Sequence, residues 1–110
     1  MKLPNRHRAL VDLQKLRDYC LSTTHPRGRH KARVFSRKLG FTNADAEQLR
    51  SALLAAATHM DATLGRQDDY GARYVLDFTM VGPGGAGIIR SHWIVRRGED
   101  FPRLTSCHVR

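Results

Sequence analysis

The sequence predicts an α+β domain, with two to three N-terminal helices packed on a four-stranded antiparallel sheet. Two observations predict it. Apolar residues recur in steps of three and four as far as about residue 60, and in steps of two beyond it. A glycine-rich turn, GPGGAG, then joins the two longest alternating runs, as a strand–turn–strand unit requires.

The elements follow in order. Leu10, Leu13, Leu16 and Cys20 mark a first helix ending near Ser22-Thr23-Thr24. Ala32, Phe35, Ser36 and Leu39 mark a short second helix closed by Gly40, a residue suited to the left-handed turn after a helix. Thr42 or Asn43 caps a third helix, ADAEQLRSALLAAATHM. Asp45 and Glu47 in its first turn suit the helix dipole, Leu49, Leu53 and Ala56 or Ala57 form its buried stripe, and His59 at its end caps it. TLGRQDDYG reads as a strand and turn. RYVLDFTMVG alternates around Tyr74, Leu76, Phe78 and Met80, IIRSHWIVRR is a further strand, and RLTSCHV follows a Phe101-Pro102 break. The whole reads as one domain, helical over about residues 8–60 and sheet over about 61–110.

Charge is the unusual property. Nineteen Lys and Arg against ten Asp and Glu give a formal charge of +9 before any of six histidines is counted. That balance makes a polyanion the first partner to consider. Hydrophobic residues at 41% and charged residues at 26% exclude a disordered chain. No apolar run approaches signal-peptide or membrane-spanning length, so the expected place of action is the cytoplasm, with no membrane partner and with delivery from another cell left open. Cys20 and Cys107 lack metal-site spacing; a single disulfide is one reading, a reduced cytosolic pair the preferred one.

Chemistry concentrates in HPRGRHK, residues 25–31, placed on the loop between the first two helices. One reading is a solvated basic turn shaped by Pro26 and Gly28. The other is an active-site loop. Histidine acts as base or acid near neutrality, cations stabilise a phosphoryl transition state, and Gly28 lets the backbone approach a ligand. Two histidines without HExxH or a carboxylate cluster make a poor zinc site, and no GxSxG elbow supports a serine triad, so neither metal nor cofactor is expected. GPGGAG lacks the Lys-Ser/Thr of a phosphate-binding loop. On the strands, alternation groups Ile89, Ser91, Trp93 and Val95 on one face and Arg90, His92 and Arg96 on the other. It likewise groups Leu104, Ser106, His108 and Arg110 opposite Thr105, Cys107 and Val109, and leaves open which face meets the helices. Trp93 reads as a core or rim aromatic with base stacking as the alternative, and His92 as a structural histidine.

LQKLRDYCLSTTHPRGRHKARVFSRKLGFT, with YGARYVLDFTMVGPGGAGIIRSHWIV and FPRLTSCHV, resembles a widespread bacterial domain of uncharacterised function. That domain has the pattern KL-x-x-Y-x-L, HP-x-G-x-x-KA-x-x-F, LGF, YG-x-x-Y, G-x-x-G, T-x-W and PRLVTAY, and the likeness runs from Leu13 to Val109. Its members in turn resemble the helices-then-sheet ribonucleases of the barnase, EndoU, colicin and RelE group, many of them toxin domains. The resemblance places HP-x-G-x-x-K on His25, Pro26, Gly28 and Lys31. It places the threonine of T-x-W on Ser91, beside Trp93, and the last-strand threonine and tyrosine on Ser106 and His108.

What the resemblance implies is a metal-independent ribonuclease, a toxin or toxin-like effector that cleaves RNA, tRNA among the candidates, by 2′-OH attack. His25, Lys31, Ser106 and His108 are its catalytic candidates, with His25 as base or acid and Lys31 on the phosphate. Arg27, Gly28, Arg29, His30, Arg90, Ser91, Trp93 and Arg103 are its substrate-binding candidates. A small acidic immunity or antitoxin protein would be the protein partner. The alternatives are a non-catalytic nucleic-acid-binding module and a basic adaptor domain that binds an acidic protein.

Overall fold

A computed structural model describes all 110 residues. An N-terminal segment with a 3₁₀ turn at Arg6–Arg8 leads into helix α1, a single α-helical turn at Leu13–Lys15. Asp12 caps it by accepting from the Gln14 and Lys15 N–H groups. The helix continues as a π-helical turn, Leu16–Cys20, and Leu16 and Cys20 are buried. The expected first helix is therefore shorter and wider than ideal: Leu10 lies outside it and instead exchanges backbone hydrogen bonds with Pro102 and Leu104 at the sheet edge. Helix α2 spans Arg29–Leu39 and ends as expected at Gly40, with φ of 72°. Thr42 closes a capping box with Asp45 over a 3₁₀ turn, Asn43–Asp45, that feeds helix α3, Ala46–His59.

Strands β1 (Thr63–Asp68), β2 (Gly71–Gly82), β3 (Gly85–Arg96) and β4 (Pro102–Val109) form an antiparallel meander in sequence order. The α+β architecture is as the change of period predicts. Tyr74, Leu76, Phe78 and Met80 face the helices and pack with Ile89, Trp93, Phe35, Leu39, Leu49 and Leu53 in one core. The β2–β3 turn rests on the end of α2, where Gly84 N–H donates to Leu39 O at 2.9 Å; a side chain at Gly84 would collide with the Gly40 backbone.

Both edge strands carry a bulge. On β1, Gly65 and Arg66 together oppose Arg73, and on β4, Thr105 is the extra residue between the pairs His92–Ser106 and Trp93–Leu104. The β4 bulge corrects the expected face assignment. Strict alternation groups Leu104 with Ser106 and His108, whereas one extra residue shifts the phase, so that Leu104, Cys107 and Val109 all enter the core.

Candidate active site

The face of the sheet turned away from the helices carries charged and titratable side chains among Val75, Ile88 and Ile94, and its cross-strand rows follow from register. Val75, His92 and Ser106 lie side by side, with Asp77, Arg90 and His108 in the next row. His92 and His108 are therefore diagonal neighbours, and their rings stack with centroids 5.5 Å apart and planes inclined by 22°. Val109 and, from α2, His30, Lys31 and Val34 complete a cleft of about 320 Å³ around the pair.

Electrostatics at this pair are distinctive. Burial pushes the His92 pKa below the ordinary histidine value, and the charges of His108, Lys31 and Arg90 push it further, against a small opposing pull from Asp77. Burial also leads for His108, followed by Lys31 and Arg90. His108 Nδ1 is buried without a hydrogen-bond partner. With one ring neutral and one protonated, two half-buried imidazoles at this separation can take and give a proton across a short gap. Lys31 is held by its own helix, its ammonium 5.8 Å from the centre of the Tyr19 ring.

The N-terminus of α2 reinforces this. Arg29 and Lys31 occupy its first turn with no acidic residue among them, the reverse of what a helix dipole prefers. Free N–H groups and unpaired cations together make that end a favourable place for an anion.

HPRGRHK divides in two. Its second half, Arg29 to Lys31, is helix rather than loop. In its first half, His25 Nδ1 accepts from the Arg27 and Gly28 N–H groups at 3.0 and 3.1 Å, and its ring sits edge-on against Tyr19. His25 thus shapes the turn and lies outside the lining of the cleft. Arg27 and Arg29 are exposed and free of ion pairs, as is His30 at the cleft. Gly28 is buried, and its missing side chain makes room for the Tyr19 carbonyl, not for a ligand.

Two further substrate-binding candidates lie in the core, which for Trp93 is the core reading of its position rather than the base-stacking alternative. Ser91 and Trp93 are 0% and 1% exposed and face the helices. The Trp93 indole N–H donates to Ser91 Oγ at 2.8 Å, and that hydroxyl donates to Leu76 O at 2.7 Å, so both side chains complete the core. Arg90 is forked onto Asp77, with both contacts at 2.9 Å, and Arg110 joins the same carboxylate. Arg103 is forked onto Glu99 with its guanidinium over Phe101. Ser106 borders the histidine pair, and its hydroxyl carries no intramolecular hydrogen bond. His92 is the residue that reading by type passes over; only the β3–β4 register brings it to His108. Cys20 and Cys107 are free buried thiols; the neighbouring Cys107 lowers Cys20 to about 7, while Cys20 and burial raise Cys107.

A small, strongly basic α+β fold with a histidine–lysine cleft where the N-terminal half of α2 meets strands β3 and β4 is the class these observations define. The chain belongs to the family described as a domain of unknown function (DUF6883), whose profile matches residues 2–110. No curated protein sequence matches it. Its fold is similar to that of a chain in a contact-dependent growth inhibition toxin–immunity protein complex from Klebsiella pneumoniae 342. The TM-score is 0.69 at 16% identity, over 91% of this chain and 98% of the other.

Proposed function

We propose that this protein is a metal-independent ribonuclease, the toxic half of a toxin–immunity pair. The observation that carries the reading is the stacked His92–His108 pair in one cleft with Lys31. Cleavage requires a base for the ribose 2′-OH, an acid for the departing O5′ and a cation for the phosphate. The neutral ring takes the 2′-OH proton, the 2′ oxygen forms a bond to phosphorus, and the P–O5′ bond breaks. The protonated ring then supplies a proton to O5′. A 2′,3′-cyclic phosphate and a free 5′-OH are the products. Lys31 and Ser106 hold the non-bridging oxygens as charge builds on them.

The similar fold comes from a complex that pairs a toxin with its immunity protein. A charge of +9 suits the toxin's side of such a pair, because a polyanionic substrate and an acidic inhibitor would compete for one basic surface. The partner proposed is accordingly a small acidic protein that covers the His92–His108 cleft, and the place of action is the cytoplasm, where RNA is.

The test is incubation of the purified protein with total RNA and with total tRNA in EDTA, followed by end-group analysis. Cyclic phosphate ends that disappear in His108→Ala are the expected result. Binding without cleavage of any pool would replace the enzyme with a nucleic-acid-binding module.

A further inference from the structure

A second groove of about 360 Å³ adjoins the histidine cleft, and His92 lines both. It crosses all four strands: Arg66 from β1, Arg73 and Val75 from β2, His92 from β3, Thr105 and Ser106 from β4. A concavity on the bare face of a sheet needs a cause, and here the two bulges supply one. Arg66 and Thr105 are themselves bulge residues, and a bulge bends the strand that carries it.

The groove is furnished for an anion. Arg73 Nε is buried without a hydrogen-bond partner. Arg66 and Arg73 approach one carboxylate, Asp68, at 3.1 and 3.5 Å, so two cations share a single counter-charge and the group keeps a net charge of +1. Arg73 also lines the next depression along the face, with Arg96 and Arg97, neither of which makes an ion pair within 4.0 Å. Ser106 lines this groove beside His92, its partner on β3, and its hydroxyl is open to a ligand.

We propose that this groove is a phosphate subsite for the nucleotide next to the scissile bond, so that one single-stranded RNA runs from the Lys31–His92–His108 cleft across Ser106 to Arg66 and Arg73. The inference rests on the ribonuclease reading and adds to it the substrate class: an oligonucleotide with at least two phosphates engaged, cleaved in preference to a dinucleotide. Asp68 sets the strength of the subsite by competing with the phosphate for both guanidinium groups.

The experiment compares wild type, Arg66→Ala, Arg66→Ala/Arg73→Ala and Asp68→Asn on two RNA substrates, a dinucleotide and an octanucleotide. It also measures binding of an all-2′-deoxy octanucleotide, which lacks the attacking hydroxyl. Thermal melts accompany each variant, and Arg66→Ala removes a side chain that is 72% exposed, so it tests the subsite even if the double variant is unstable. In the double variant, kcat/KM on the octanucleotide should fall about tenfold or more with the dinucleotide rate unchanged. The salt dependence of deoxy-octanucleotide binding should flatten by about 0.7 in log–log slope for each phosphate that the variant no longer neutralises. Asp68→Asn should tighten binding. Equal loss on both substrates, or no change on either, would overturn the subsite and leave the ribonuclease reading standing. Wild type that cuts neither RNA, with deoxy-octanucleotide binding still weakened by the arginine variants, would overturn the ribonuclease reading and leave the groove as a phosphate site.

Discussion

Two regions of this molecule carry histidines beside cations, and they put them to different uses. In residues 25–31 the chemistry is crowded into consecutive positions, yet the His25 ring is occupied with two backbone N–H groups of its own turn. On β3 and β4 the chemistry is dispersed, sixteen residues from His92 to His108, and sheet register assembles it. Neighbours in sequence tend to satisfy each other's hydrogen bonds, because a turn has to find partners for its own backbone. Side chains brought together by register have no such local demand, which is why the His108 Nδ1 atom is left without a partner. The loop's contribution is Lys31, which helix α2 carries to the strand pair.

The largest effect expected separates the two regions directly. His92→Ala, His108→Ala and Lys31→Ala should each reduce RNA cleavage by about 10²–10⁴-fold, the usual range for a group that moves a proton or stabilises charge in the transition state. Gel assays on total tRNA with melting curves for each variant measure this. Full activity in His92→Ala would dissolve the pair and make the loop the better candidate.

Next come two effects on stability rather than chemistry. Ser91→Ala strands the Trp93 indole N–H and the Leu76 carbonyl in the core, and leaving a buried polar group unpaired costs about 1–3 kcal/mol. Gly28→Ala drives a methyl group into the Tyr19 carbonyl, an overpacking of similar or larger cost, about 1–3 kcal/mol or more. Urea melts should show both losses, while the folded fraction of Ser91→Ala cleaves RNA at the wild-type rate. A cleavage defect in Ser91→Ala beyond its loss of folded protein would put that hydroxyl back on the substrate.

How much of the molecule is legible in its sequence follows the same division. The period change near residue 61, Gly40 as a helix stop and the buried row Tyr74 to Met80 are local signals, and local signals survive folding. Residue types also flag Lys31, Ser106 and His108. The π-helical turn after Lys15 and the bulge at Thr105 leave no mark that alternation can register, and the bulge moves Leu104 across the sheet. His92 is visible as a strand residue but not as half of a pair, since pairing is a property of register. Ser91 and Trp93 could face either side until the helices chose one.

A smaller effect follows from acidity. Both strand histidines have pKa values lowered by burial and by neighbouring cations, so in the window below about 6.5 the unfolded chain binds more protons than the folded one. Their contribution to stability is present in full above that pH and is lost as pH falls through the window. Melting temperature should therefore drop on going from pH 7 to 5, and less so in a His92→Gln/His108→Gln variant. The bell-shaped profile of kcat/KM should have its maximum on the acid side of the ordinary histidine value, because the free enzyme needs one ring protonated and both resist protonation. An optimum well above pH 7 would mean that another group is the acid.

The smallest effect is the sharpest test of the loop's role. If His25 serves only as an acceptor for the Arg27 and Gly28 N–H groups, an asparagine can replace it, since its side-chain oxygen makes the same kind of turn and neither donates nor accepts a proton near neutrality. His25→Asn should keep cleavage within about threefold and alter the pH profile not at all, whereas His25→Ala should lose about 1 kcal/mol of stability as a cap-like interaction is removed. The two substitutions delete the same imidazole, so a catalytic histidine would fail in both. Loss of cleavage in a well-folded His25→Asn would show that the imidazole itself reacts, and would make the loop rather than the strands the seat of the chemistry.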